Sequence, residues 1–147
     1  MTVVIASFIG FSEAMAAEED STLVKTEVIE KGYDWSRLIN AIAYVESGHN
    51  PKAFNRNGNC AGLLQITPVC VKQCNILLQR SKSTKRYTMQ DRFNPEKSKE
   101  MFIMIQETYN PEHNIEKAIR MWNGGPGYRK ASTENYYRKV MKAYNKE

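Results

Sequence analysis

Apolar residues return every three or four positions through most of the chain, while the period-two alternation of a half-buried strand is scarce. That spacing commits the backbone to amphipathic helices that bury one stripe each against their neighbours. The clearest run carries Trp35, Leu38, Ile39, Ile42, Ala43 and Val45, with Asp34 set to cap its start and Gly48 to end it. Thr67-Pro68 and Asn94-Pro95 each put a capping residue before proline, a helix-start signature. The first predicts a helix over 69–78, the second a helix that turns Met101, Phe102, Ile105 and Tyr109 inward. Asn114 is placed to cap 115–122, and Ser132 or Thr133 to cap a last helix holding Tyr136, Tyr137, Val140 and Tyr144. Gly124-Gly125-Pro126-Gly127 reads as a tight turn, and 55–64 as a loop or short hairpin. Tyr33, Trp35, Tyr109 and Tyr144 are expected in the core. The fold class is mainly α, with little or no β-structure.

A chain of 147 residues supports one such core and not two. The one long apolar run, Val3 to Phe11, falls short of the ~20 residues that cross a bilayer, so no integral membrane span is expected. Small residues at Ala14-Met15-Ala16 follow that run, and Glu18-Glu19-Asp20 begin a polar stretch. The pattern reads as a secretory signal peptide over 1–17, cut after Ala16 or Ala17, although no Lys or Arg precedes the apolar stretch. An N-terminal core helix is the other reading. Residues 18–32 are charged and weakly patterned, a linker, which leaves 33–147 as the domain. A net charge of +5 suits an anionic partner: nucleic acid, an acidic membrane or a cell-wall polymer. No nucleic-acid-binding motif accompanies the charge, and a secretion signal argues against that partner.

Glu46 follows Ile42 by four residues and Ile39 by seven, so on a helix it extends the stripe that faces the core. A carboxyl there loses hydration, which raises its pKa and suits it to donate a proton near neutral pH. Rotation into water at the helix end is the bland alternative. The motifs around it favour the first. Glu46-Ser47-Gly48 is followed by Gly62-Leu63-Leu64-Gln65-Ile66-Thr67-Pro68, by Trp122-Asn123-Gly124-Gly125-Pro126-Gly127, and by Asn135-Tyr136-Tyr137-Arg138-Lys139-Val140. In this order they resemble the soluble lytic transglycosylase domain, the goose-lysozyme-like family that cleaves bacterial peptidoglycan. The resemblance runs from about Asp34 to about Ala143.

It implies a lysozyme-like helical domain with a substrate groove, located in the periplasm or secreted into the cell envelope. It implies that Glu46 is the catalytic acid, protonating the glycosidic oxygen between N-acetylmuramic acid (MurNAc) and N-acetylglucosamine (GlcNAc). The same group then serves as base while the muramic 6-hydroxyl closes on its own anomeric carbon, giving a 1,6-anhydro end. Ser47, by the same resemblance, lies near the acetamido group. Gly62, Leu64 and Gln65 match the segment that walls the sugar groove. Trp122 and Asn123 match a tyrosine–asparagine pair, and Tyr136 the tyrosine that leans on the glutamate. Three departures stand out: Trp122 for tyrosine, Leu64 for methionine and Gly124 for alanine. Peptidoglycan glycan strands are the implied partner, and an envelope-spanning secretion or conjugation apparatus is a further one by analogy.

Charge agrees on a separate count. Between Ser47 and Gln90 there is no Asp or Glu, while seven Lys and Arg fall in that stretch. Glycoside hydrolases usually need a second carboxylate, ~5–5.5 Å away as nucleophile or ~6.5–9.5 Å away to activate water. An intramolecular hydroxyl needs neither. Asp91, Glu96 and Glu100 remain candidates to approach through folding, which keeps a lysozyme-like hydrolase open. An inactive glycan-binding or assembly module is the alternative from another class. The basic stretch 80–91 is either a contact for anionic glycan or a solvated loop. Cys60 is open to bridging Cys70 or Cys74 in an oxidising compartment. His49 and His113 lack ligand spacing, so neither metal nor cofactor is expected; His49 flanks the cleft or lies on the surface.

Overall fold

The computed structural model describes residues 32–146, and the signal-peptide and linker assignments lie outside them. The apolar stripe forms helix α1 (Ser36–Ser47) and buries Leu38, Ile39, Ala41, Ile42 and Ala43. It starts one residue later than the aspartate suggests. Asp34 closes a turn of its own, its Oδ1 accepting the Ser36 N–H at 2.9 Å, and the first helical bond runs from Ile39 N–H to the Trp35 carbonyl. Gly48 ends the helix with φ +59°, the left-handed conformation glycine adopts without a β-carbon penalty.

A short antiparallel hairpin follows, β1 (Phe54–Asn55) against β2 (Cys60–Ala61), with Phe54 opposite Ala61 and Asn55 opposite Cys60. Helix α2 (Pro68–Arg80) opens as expected, Thr67 accepting the Cys70 N–H, and a 3-10 turn spans Gln90–Phe93. Helix α3 (Pro95–Tyr109) and helix α4 (Ile115–Gly124) are capped by Asn94 and Asn114 side chains, each accepting a backbone N–H three residues on. Helix α5 (Lys130–Tyr144) closes the chain.

Two further boundaries, nearer the C-terminus, differ from expectation. Helix α5 begins at Lys130 rather than after Ser132 or Thr133, because both hydroxyls donate backwards to the Arg129 carbonyl and so mark the first turn, not the cap. Gly124 is the last residue of α4 rather than part of the turn. A β-carbon on it would press on Thr133 and Tyr128, so this glycine lets α4 and α5 approach closely.

Asp34–Glu147 is one unit of the chain and Met1–Tyr33 another. Within the former, α5 packs on α1 and on α4. The core centres on Trp35, Phe102, Leu38, Ile42, Leu64, Met101 and Ile119, all fully buried. Each large apolar side chain so buried contributes roughly 1.5–3 kcal/mol. Trp35 meets Phe102 edge-on at 5.9 Å between centroids, and Phe102 meets Trp122 at 5.0 Å, so an aromatic line runs through the core. Tyr109 and Tyr144 pack against this core half-buried, whereas Tyr33 is 41% exposed and is not a core residue. The result is a mainly α fold with a two-stranded sheet. Among the described residues, no helix is long and apolar enough to cross a membrane.

Candidate active site

Glu46 occupies the last turn of α1, half-buried, and its Oε1 accepts a hydrogen bond from the Tyr136 hydroxyl at 2.7 Å. Burial drives its pKa above the usual carboxylate value; the tyrosine bond pulls the other way and is the weaker effect. The tyrosine in turn is held well above its ordinary pKa by burial and by the neighbouring carboxylate, so it stays a donor. Among the described residues, most other acids answer to a cation: Glu116 and Glu134 to Arg120, Glu100 to Lys85, Glu96 to Lys99 and Asp91 to Lys97. Glu46 has a phenol instead.

The helix that brings Tyr136 is anchored by Arg120, buried on α4. Its guanidinium reaches Glu116, Glu134 and Thr133, and lies 4.3 Å from the centre of the Tyr137 ring. Glu134 sits two residues before Tyr136, so this knot fixes the α5 turn that faces Glu46. The sequence signal was modest, a Glu116–Arg120 pair at helical spacing.

Opposite, the segment 61–66 folds back on itself. Gly62 has φ +80°, and any β-carbon there would run into the Arg92 carbonyl oxygen, so glycine is required twice over. Gln65 also has positive φ, and its side-chain amide donates to the Gly62 and Ala53 carbonyls at 3.0 and 3.3 Å. Arg92, buried, donates to the carbonyls of Met89, Asn59 and Ile66 and so pins three loop strands at one point. Ser47 ties this wall to α1: its hydroxyl lies 2.8 Å from the Leu63 carbonyl and 3.1 Å from that of Ala43. The Trp122 indole N–H donates to the Leu64 carbonyl at 3.2 Å.

Between the two sides lies a cleft of about 440 Å3. Of the residues singled out from sequence, Glu46, Gln65, Trp122 and Asn123 line it. Tyr136 touches Glu46 rather than the cleft, and Ser47, Gly62 and Leu64 stand behind the wall, Leu64 with its side chain wholly buried. Glu46 is the one carboxylate among the lining residues, the rest being apolar, amide, hydroxyl or thiol. Sequence reading did not nominate Tyr109, Gln73 or Met121 for the lining. They come from the inner faces of α2, α3 and α4, where periodicity marks core and cleft floor alike.

All three cysteines are free thiols. Cys60 and Cys70 line the cleft, and burial together with the Glu46 charge raises the Cys60 pKa. Cys74 is buried beneath, and the Cys70–Cys74 contact holds the Cys70 thiol below its ordinary value and Cys74 above. His49 is exposed, its ring tilted against that of Tyr44, and it is not among the residues that line the cleft. Among the described residues, no cluster of three His, Cys, Asp or Glu is arranged to hold a metal.

A helical unit that sets one desolvated carboxyl at the edge of an open cleft is built as a lysozyme-like domain. The chain matches the transglycosylase SLT domain over residues 25–146, and it belongs to that family. The match begins inside the stretch read above as a linker. No curated protein matches the chain. Membership carries a lytic-transglycosylase-like action on peptidoglycan, the polymer on which SLT domains act in the cell envelope.

Proposed function

We propose that the chain is a peptidoglycan lytic transglycosylase that breaks the MurNAc–GlcNAc β-1,4 bond without consuming water. The observation that carries this reading is the solitary, desolvated Glu46, held by the Tyr136 hydroxyl in a cleft that offers no second carboxylate. Desolvation holds the proton on the Glu46 carboxyl to higher pH than an exposed carboxyl would keep it, so it donates to the departing GlcNAc oxygen as the bond to the anomeric carbon breaks. The resulting carboxylate accepts the proton of the MurNAc 6-hydroxyl while that oxygen bonds to the anomeric carbon. The group ends protonated, ready for another turn, and the product is a 1,6-anhydro-MurNAc end. Tyr136 donates to the carboxylate formed midway and fixes its orientation. A hydrolase usually needs a second acid, and Asp91, Glu96 and Glu100, paired with Lys97, Lys99 and Lys85, are not among the residues that line the cleft.

Gln65 and Asn123 offer amides for hydroxyl and acetamido groups, and Trp122 an apolar ring for a sugar face. Action on the wall requires export, which the segment 1–17 would direct, to the periplasm or beyond. A domain this small suits local opening of the wall, for instance where a secretion or conjugation apparatus passes. The test is digestion of purified peptidoglycan by the chain lacking residues 1–17, with released muropeptides weighed. Anhydro ends are expected. Reducing ends would make it a hydrolase, and binding without release an inactive module.

A further inference from the structure

A second groove of about 690 Å3 runs between α2 and the segment 81–89. Its wall is firmly set. The Asn75 side chain pairs with the Tyr87 backbone in both directions, donating to the carbonyl and accepting from the N–H, each at 2.8 Å. The Tyr87 ring is buried and its hydroxyl reaches Glu100 at 2.9 Å. Val69, Ile76 and Met89 make the groove apolar, and Lys72 and Arg86 supply its charges, with no acid among the lining residues. Neither cation forms an ion pair among the described residues; Arg86 is steadied at the rim by the Ser83 and Lys85 carbonyls. Val69, 75% exposed, lines both this groove and the cleft that holds Glu46, so the two adjoin.

Resting on the transglycosylase reading, we propose that this groove holds the peptide stem borne by the glycan strand. The stem is a short peptide that combines methyl side chains with free carboxylates. Methyls fit the Val69, Ile76 and Met89 surface, and carboxylates fit Lys72 and Arg86. A strand seated at Glu46 carries its stems laterally, and Val69 borders both the cleft and the groove, so a stem that leaves the cleft on that side meets the groove. The lobe from Ser47 to Gln90 is free of acids and no carboxylate lines the groove, which favours an anionic stem there. The groove is thus a specificity site for stem-bearing wall.

Two measurements on the chain lacking residues 1–17 test this. The first compares cleavage of stem-bearing glycan strands with that of the same strands stripped by an amidase, which keep only the lactyl carboxylate at the ring. The double variant Lys72→Glu with Arg86→Glu should raise KM about tenfold on stem-bearing strands, leave kcat unchanged, and leave bare strands unaffected. Equal loss on both substrates, or no preference in the parent chain, would overturn the proposal while leaving the transglycosylase reading intact. The second is calorimetric titration with a free stem peptide, which needs no cleavage. Binding that the double variant abolishes is expected, and absence of heat with the parent chain overturns the proposal. Failure to cleave either substrate counts against the enzyme, and the titration then decides the groove alone.

Discussion

The two sides of the cleft are held by different physics. On the helical side, α1, α4 and α5 lock through side chains: the apolar stripe of α1, the aromatic line from Trp35 to Trp122, and the Arg120 knot with Glu116 and Glu134. On the loop side, residues 47–66 hold their shape through backbone carbonyls, gathered by Arg92, Gln65 and Ser47 around a glycine that admits no substituent. Charges divide likewise, with paired acids on the helices and none in the lobe from Ser47 to Gln90. The helical side therefore sets the acid and its pKa, while the loop side shapes what the acid faces. Substitutions on the two sides should fail in distinguishable ways.

The sharpest separation is Glu46→Gln. Release of muropeptides should fall by about 10²–10⁴, the range a positioned acid–base group contributes, while binding to the wall persists. The same variant should be more stable than the parent at neutral pH, by a Tm rise of about 2–5 °C. Here the sign follows from linkage. The folded pKa of Glu46 lies above its ordinary value of 4.5, so the native state binds more protons and stability falls as pH rises through that interval. The gain from Gln should vanish below the ordinary value and be full above the folded one. A melting curve that shows no gain at pH 7 would remove the desolvation on which the acid role depends.

Gly62→Ala breaks the opposite side. Relief of the collision with the Arg92 carbonyl needs the wall to move, at about 3 kcal/mol, and the Tm should drop with activity. Unchanged stability would show that the loop side tolerates displacement. Tyr136→Phe is subtler, a loss of about tenfold in rate with the fold intact. Because the tyrosine bond lowers the Glu46 pKa, its removal should move the high-pH limb of the activity profile upward. A profile left in place would reduce the tyrosine to packing. Ser47→Ala is expected to be smallest, about 1 kcal/mol of stability from the bond to the Leu63 carbonyl, read by thermal melting.

Much of the helical side was legible in advance. Thr67, Asn94 and Asn114 cap the helices they were assigned to, and the α1 stripe marked the buried face, whereas the inward reading of Glu46 rested on the motifs around it. Asp34, Ser132 and Thr133 misled because short polar side chains bond their own local backbone in more than one way, and sequence cannot choose among them. On the loop side the motif residues were visible but the bonds that hold them were not. Gly62, Leu64 and Ser47 shape the wall from behind, and Arg92 carried no signal at all.

The order of residues alone dictates where helices run, which face of each is apolar, and that one glutamate falls on such a face. Those are local properties, set by spacing along the chain. The tertiary fold alone brings Arg92 to gather the loop and sets two basic residues at the border of a second groove. Such meetings depend on how helices dock, and docking is fixed by the shape of the whole core rather than by any single stretch of it.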